Sequence, residues 1–231
     1  MDIEERQAEH IDYFVKKAST LKGSALANVV VEATSHPSLF AFSEILSVPS
    51  VLELEGTENS AFIDLLRMFA HGTWSEYKHK IFCVTGALVL MVLMYSIDAA
   101  GHLPQLVPDQ VLKLKQLTVL TLAETDKVLP YDTLMQELDV SNVRELEDFV
   151  INDCMYVGIV RGKLDQLRRC FKVQFAAGRD IRPGQLGSMT DILANWYMFL
   201  PAAIDSRGHE ENFSELGGVM DHDNDRNRPK R

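Results

Sequence analysis

Cysteine is scarce in this chain. Its 231 residues hold three, Cys83, Cys154 and Cys170, far apart and with no CxxC or CxxxH spacing. That excludes a disulfide-stapled scaffold and a cysteine zinc site, and makes a reducing intracellular compartment the simpler reading. Positive charge is also in deficit: 23 Lys and Arg stand against 33 Asp and Glu, a net −10. Polyphosphate affinity needs clustered cations, so this balance argues against general nucleic-acid binding. The seven histidines form no HxH or HExxH, and GxSxG and GxxxxGK[ST] are absent. No catalytic residue, cofactor-binding residue or metal ligand is legible, and the chain does not read as an enzyme. The run DHDND, Asp221 to Asp225, lacks the Gly and terminal Glu of a calcium loop and reads as a solvated acidic tail. The opening MDIEERQAEH has no basic stretch followed by an apolar one, so it does not read as a secretory signal.

Apolar periodicity is abundant, and it is mostly helical. Ile11, Phe14, Val15 and Ala18 form one stripe, and Leu26, Val29, Val30 and Ala33 form a second that His36-Pro37 ends. Leu39, Phe42, Ile45 and Leu46 form a third, stopped by Pro49, and Phe62, Leu65, Leu66 and Phe69 a fourth, with Gly72 placed as a C-terminal cap. Thr73 and Glu76 have capping-box spacing. Successive short helices of this kind suggest a helical-repeat stack. Pro108 suits a first helical position, and Leu112, Leu114, Leu117, Leu120 and Leu122 surround much of the helix that follows, which predicts burial on more than one face. A short helix is expected over LPYDTLMQELD. Ser141 is a candidate N-cap for the next, with Val143, Leu146, Phe149, Val150 and Cys154 inward and Gly158 ending it. The period then changes to two. Ile159, Val160 and Leu164 precede a polar turn, and Phe171, Val173 and Phe175 alternate with Cys170, Lys172 and Gln174, which predicts a hairpin. A last helix is expected over DILANWYMFL, ended by Pro201, and the polar, acidic remainder reads as disordered.

Three helices followed by a hairpin, Asp109 to Arg182, is the order of a winged helix. The predicted class is therefore mainly α: a helical-repeat stack, a winged helix and a disordered C-terminal tail. The stretches NVRELED and GRDIRPGQL, within a block running from YDTLMQEL to GQL, resemble the subunit-seven family of the COP-nine (constitutive photomorphogenesis nine) signalosome, in a plant-like form. The resemblance spans roughly Ala18 to Trp196 and implies a PCI domain, shared by the proteasome lid, the signalosome and initiation factor three. It implies a non-catalytic scaffold whose partners are other PCI subunits and, indirectly, cullin-RING ubiquitin ligases. Nedd8 (Rub in plants) would be removed from cullins by a metalloprotease in a different subunit. The boundaries expected are 1–107 for the helical-repeat part, 108–182 for the winged helix, 183–200 for a C-terminal helix and 201–231 for the tail.

Local charge separates DNA reading from protein docking. The third helix of a DNA-binding winged helix meets phosphates, but Asn142 to Val157 carries Arg144 against Glu145, Glu147, Asp148 and Asp153, a net −3. The hairpin region from Arg161 to Arg182 is the reverse: Arg161, Lys163, Arg168, Arg169, Lys172, Arg179 and Arg182 face only Asp165 and Asp180. It reads either as a solvated wing or as a patch for an acidic partner. The docking candidates are Arg168, Arg169 and Lys172 on the wing and Ile192 and Trp196 on the last helix, together with the open sheet edge.

The uncharged run Ile81 to Ile97 has 17 residues. At about 1.5 Å per residue it reaches roughly 25 Å, short of a bilayer core of about 30 Å. Family members pass from the Gly-Thr-aromatic motif, here GTWSEY, to the Leu-Pro-x-Leu motif, here HLPQL, through fewer residues, so the resemblance favours an insertion at about 80–100 arising from alternative splicing. A core element and a membrane helix stay open beside it. In the family the last helix also continues past the position of Trp196 into a bundle with other subunits, whereas Pro201 interrupts it here. The closing RNRPKR, with Arg226, Arg228, Lys230 and Arg231, suits nuclear import, and the resemblance implies nucleus and cytoplasm. The rival readings are a PCI subunit of the proteasome lid or initiation factor three, a nucleic-acid-binding winged-helix regulator and a membrane-anchored adaptor.

Overall fold

The computed structural model describes residues 3–81, 103–182 and 184–196. They fall in two compact units, Met1–Asp180 and Ile181–Arg231.

The first unit begins with the helical stack. Helix α1, Ile3–Thr20, buries Phe14 and Ala18, and α2, Ser24–Ser35, buries Leu26, Val29, Val30 and Ala33 along the stripe its spacing predicts. Pro37 ends α2 by holding His36 in the extended region, at φ −69° and ψ 125°. The third apolar stripe forms no single helix. Residues 39–42 are irregular, followed by α3, Ser43–Leu46, and α4, Pro49–Leu52, yet Leu39, Phe42 and Ile45 are all fully buried. Helix α5, Ser60–His71, closes on Gly72 as expected, but with an extended cap at φ −86° rather than a left-handed one. Thr73 and Glu76 then form the predicted reciprocal capping pair, each accepting the other's backbone N–H at 3.2 and 3.0 Å, and open α6 over 74–81.

Helix α7, Pro108–Thr125, joins the two halves of this unit, packing against α2 of the stack and against the rest of the winged helix. Pro108 stands at its first turn, and Gln110 reaches back to accept the Val107 N–H at 3.1 Å. Leu114, Leu117 and Leu120 are buried while Leu112 is exposed, so the burial on more than one face predicted for α7 is completed by polar side chains. Gln110 donates to Thr34 Oγ1 at 2.7 Å, Gln116 donates to the Asp153 carbonyl at 2.5 Å, and Lys113 donates to the Pro37 carbonyl with its Nζ 3.7 Å from the Phe40 ring centroid.

The winged helix departs from the predicted hairpin by one strand. Val128–Pro130, read from sequence as helix and linker, is strand β1. It pairs antiparallel with β3, Cys170–Ala176, which also pairs with β2, Val160–Asp165, in the order β1-β3-β2. Pro130 ends the strand and opens α8, Tyr131–Leu138, where its missing N–H costs nothing. Helix α9, Val143–Phe149, is capped by Asn142 rather than Ser141: Asn142 Oδ1 accepts the Arg144 N–H at 3.0 Å. It runs on as a π-helical turn, Val150–Met155, and Gly158 at φ 88° ends it. Phe171 and Val173 face inward as expected. Phe175 does not, because the register slips between Arg161 and Gly162 and leaves Gln174 extra on β3, turning Phe175 to the outer face beside Arg161.

In the second unit a helix, α10, runs over 185–196, starting six residues before the predicted DILANWYMFL and directly after Gly184. No helix among the described residues is long and apolar enough to cross a membrane. The apolar run from residue 82 onward, the tail and the import candidates Arg226, Arg228, Lys230 and Arg231 lie outside the described residues.

Candidate protein-docking site

The wing is a strand–turn–strand whose turn, Gln166 to Arg169, is tightened by its own polar groups. Asp165 accepts the Arg168 N–H at 3.1 Å, and Arg169 adopts φ 49° so that its carbonyl can accept the Tyr131 N–H at 2.9 Å. Leu167 at the tip is 99% exposed. The three wing candidates lie together but are not equivalent. Lys172 binds Asp165 at 2.8 Å, and Arg169 binds Asp132 at 3.1 Å. Lys172 and the Arg168 N–H hold the Asp165 carboxyl below its usual range. Arg168 projects from the turn with no ion-pair partner among the described residues.

Two members of the charge pattern leave the wing. Arg179 turns inward, donating to the carbonyls of Leu117, Phe69 and Gly72 at 3.3, 3.0 and 2.6 Å, and to Thr121 Oγ1. Asp180 caps α3 by accepting the Phe42 and Ser43 N–H groups at 2.5 and 3.2 Å. Both residues of the GRD stretch therefore join the winged helix to the stack, a structural role that charge counting assigned to the surface.

The helix that would enter a DNA groove keeps its acidic character. Glu145 and Asp148 are exposed, and Glu147 accepts from Tyr131 Oη and Gln166 Nε2, each at 2.9 Å. Burial and the Glu147 bond push the Tyr131 hydroxyl above its ordinary range, which keeps it a donor. Among the described residues no three His, Cys, Asp or Glu side chains converge as metal ligands would.

On α10, Ile192 and Trp196 are exposed, at 67% and 66%. Trp196 belongs to a longer stripe that the residue pattern alone left unnamed: Leu186, Met189, Leu193 and Trp196 repeat at the spacing of a helix–helix seam, Ile192 flanks it beside Leu193, and all five are exposed among the described residues. The signal was legible as i, i+3, i+7 spacing once the helix start moved to 185.

A helical stack closed by a winged helix is the architecture of a PCI-type subunit. The PCI domain model matches residues 97–175, and the CSN7 helical bundle subdomain matches residues 13–43. The chain is 53% identical to COP9 signalosome complex subunit 7 of Arabidopsis thaliana, with 100% of this chain and 97% of that protein covered. It is 40% identical to the Dictyostelium discoideum subunit 7 over 79% of this chain and 63% of that protein, and 33% identical to the mouse subunit 7a over 89% and 70%. The chain belongs to the COP9 signalosome subunit 7 family.

Proposed function

We propose that the chain is a non-catalytic scaffold subunit of a COP9 signalosome. It supports removal of Nedd8 or Rub from cullin-RING ligases by holding neighbouring subunits through its PCI domain, while isopeptidase chemistry resides in another subunit. The observation that carries this reading is the end-to-end match to a signalosome subunit 7. Its docking positions are Arg168, Arg169 and Lys172 on the wing, and Ile192 and Trp196 at the exposed stripe of α10. A cluster of large apolar side chains on one helix face is costly to leave in water and is the common anchor of a helix–helix interface. The basic end, Arg226 to Arg231, supports import, so nucleus and cytoplasm are the proposed compartments.

Affinity purification tests the reading. The tagged chain is expected to recover signalosome subunits, and Ile192→Glu with Trp196→Glu is expected to cut that recovery at least about tenfold, since both side chains are exposed and the loss is one of contact. Arg168→Glu with Arg169→Glu is expected to weaken recovery less and in a salt-dependent way. Unchanged recovery with the α10 pair would remove that helix from the interface, and recovery of no signalosome subunit by the unsubstituted chain would sink the scaffold reading.

A further inference from the structure

The three-stranded sheet has an inner and an outer face, and the outer face is chemically unusual. Leu129, Phe171 and Val173 fill the inner face and are buried. The register places Val128, Lys172 and Lys163 in one row across all three strands on the other side, with Arg161 and Phe175 as the adjacent pair. Lys163 and Lys172 are direct cross-strand partners, an arrangement of like charges that weakens a sheet. Asp165 relieves Lys172 alone, at 2.8 Å, and Lys163 has no ion-pair partner among the described residues. Arg161 is held 4.4 Å above the Phe175 ring, which orients its guanidinium over the same face. Val128, 51% exposed, adds an apolar position at the end of the row. The sheet gains no internal stability from opposing lysines, and the arrangement leaves Lys163 and Arg161 presented to an anion.

We propose that this outer sheet face is a docking surface for an acidic peptide segment of a partner protein, with carboxylates on Lys163, Lys172 and Arg161 and an apolar side chain on Val128. The proposal rests on the reading of the chain as a docking subunit and names the chemistry of one partner. A peptide fits better than a nucleic acid. Phe175 is the one aromatic side chain in this set and Arg161 covers its ring, so there is no stacking platform for bases. Asp165 sits within the face and would repel a continuous phosphate backbone, whereas a peptide can place its carboxylates around it.

Fluorescence anisotropy on the full chain tests this, with a short labelled peptide of alternating Glu and Ser around a central Leu. Binding is expected, weakening as salt rises. Lys163→Glu is expected to lower affinity at least about tenfold, and Lys163→Gln, which adds no charge that could disturb folding, by several-fold. Lys16→Glu, the same charge change at an exposed position of α1, is expected to alter it less than about twofold. Absence of binding at low salt, equal losses from Lys16 and Lys163, or tighter binding of a single-stranded oligonucleotide than of the peptide would each overturn the proposal. Co-purification of the unsubstituted chain with signalosome subunits is read in parallel. Subunit recovery by a chain that binds no peptide counts against this proposal alone, and peptide binding by a chain that recovers no subunit counts against the scaffold reading alone.

Discussion

Lys113 is 2% exposed, in a chain whose other lysines lie mostly at the surface. It owes its place to spacing: Gln110, Lys113 and Gln116 fall on neighbouring faces of α7, so a helix wrapped by protein must bury them or break its periodicity. The Phe40 ring and the Pro37 carbonyl hold the ammonium group, but burial outweighs them and pushes its pKa down to about 7. In the unfolded chain the same group titrates near 10.5, so between those values the unfolded state binds more protons and stability rises with pH. Below pH 7 both states are charged and the cost of burying the charge is fully present. Lys113→Met is therefore expected to stabilise the protein most near pH 6. Its advantage should shrink by of order 1 kcal/mol per pH unit between pH 7 and 9.5, measured by urea unfolding. A pH-independent difference would contradict the assignment.

The sheet shows how one irregularity redirects a whole element. Gly162 sits at the register slip, where a Cβ would come within 2.3 Å of the Lys172 carbonyl oxygen and 2.7 Å of the Phe171 ring. Backbone and a fully buried ring leave nothing that can yield cheaply. Gly162→Ala is expected to cost about 2–3 kcal/mol, read from the denaturation midpoint, and to release the Arg161–Phe175 contact. The slip is also why Phe175 escaped the alternation that placed Phe171 and Val173 correctly. Strand β1 escaped for a different reason. Three residues carry no readable period, and Val128–Pro130 is extended because β3 offers it hydrogen bonds, not because of its own propensity. The seam on α10 was missed through a misplaced start, since Pro183-Gly184 suggested a break and α10 begins immediately after it.

For the first unit as a whole, one side chain connects the parts. Arg179 gathers carbonyls from the end of α5, from Gly72 and from α7, while Asp180 holds the first N–H groups of α3. A guanidinium satisfies several acceptors at once because its donors form a planar fork, and removing it leaves carbonyls without partners. Arg179→Met is expected to lose about 3 kcal/mol of stability, with amide exchange accelerating at the end of α5 and along α7 before it does in the sheet. Arg179→Lys, a point charge on a flexible stem, is expected to restore only part of this loss. Uniform acceleration across the unit would show that the residue stabilises without joining its halves.

The helices α1, α2, α5 and α7, the buried stripes of the first three, the capping pair at Thr73 and Glu76, and the winged-helix order were readable from residue spacing. Each rests on local periodicity or on a contact within one turn. The grouping of Arg168, Arg169 and Lys172 also followed from the chain, because neighbours across a hairpin remain neighbours in space, whereas Trp196, a residue type more often buried, is exposed here. Which charges belong to the surface could not be read that way. Arg179 and Lys172 look alike in sequence, yet one meets carbonyls contributed by residues some 60 to 110 positions away and the other an aspartate across the hairpin. The same holds for the row Val128, Lys172 and Lys163, which exists because strand register brings together three segments with no shared local signal. Short-range spacing set the elements, and long-range pairing of backbone and charge determined which of their side chains remain available to a partner.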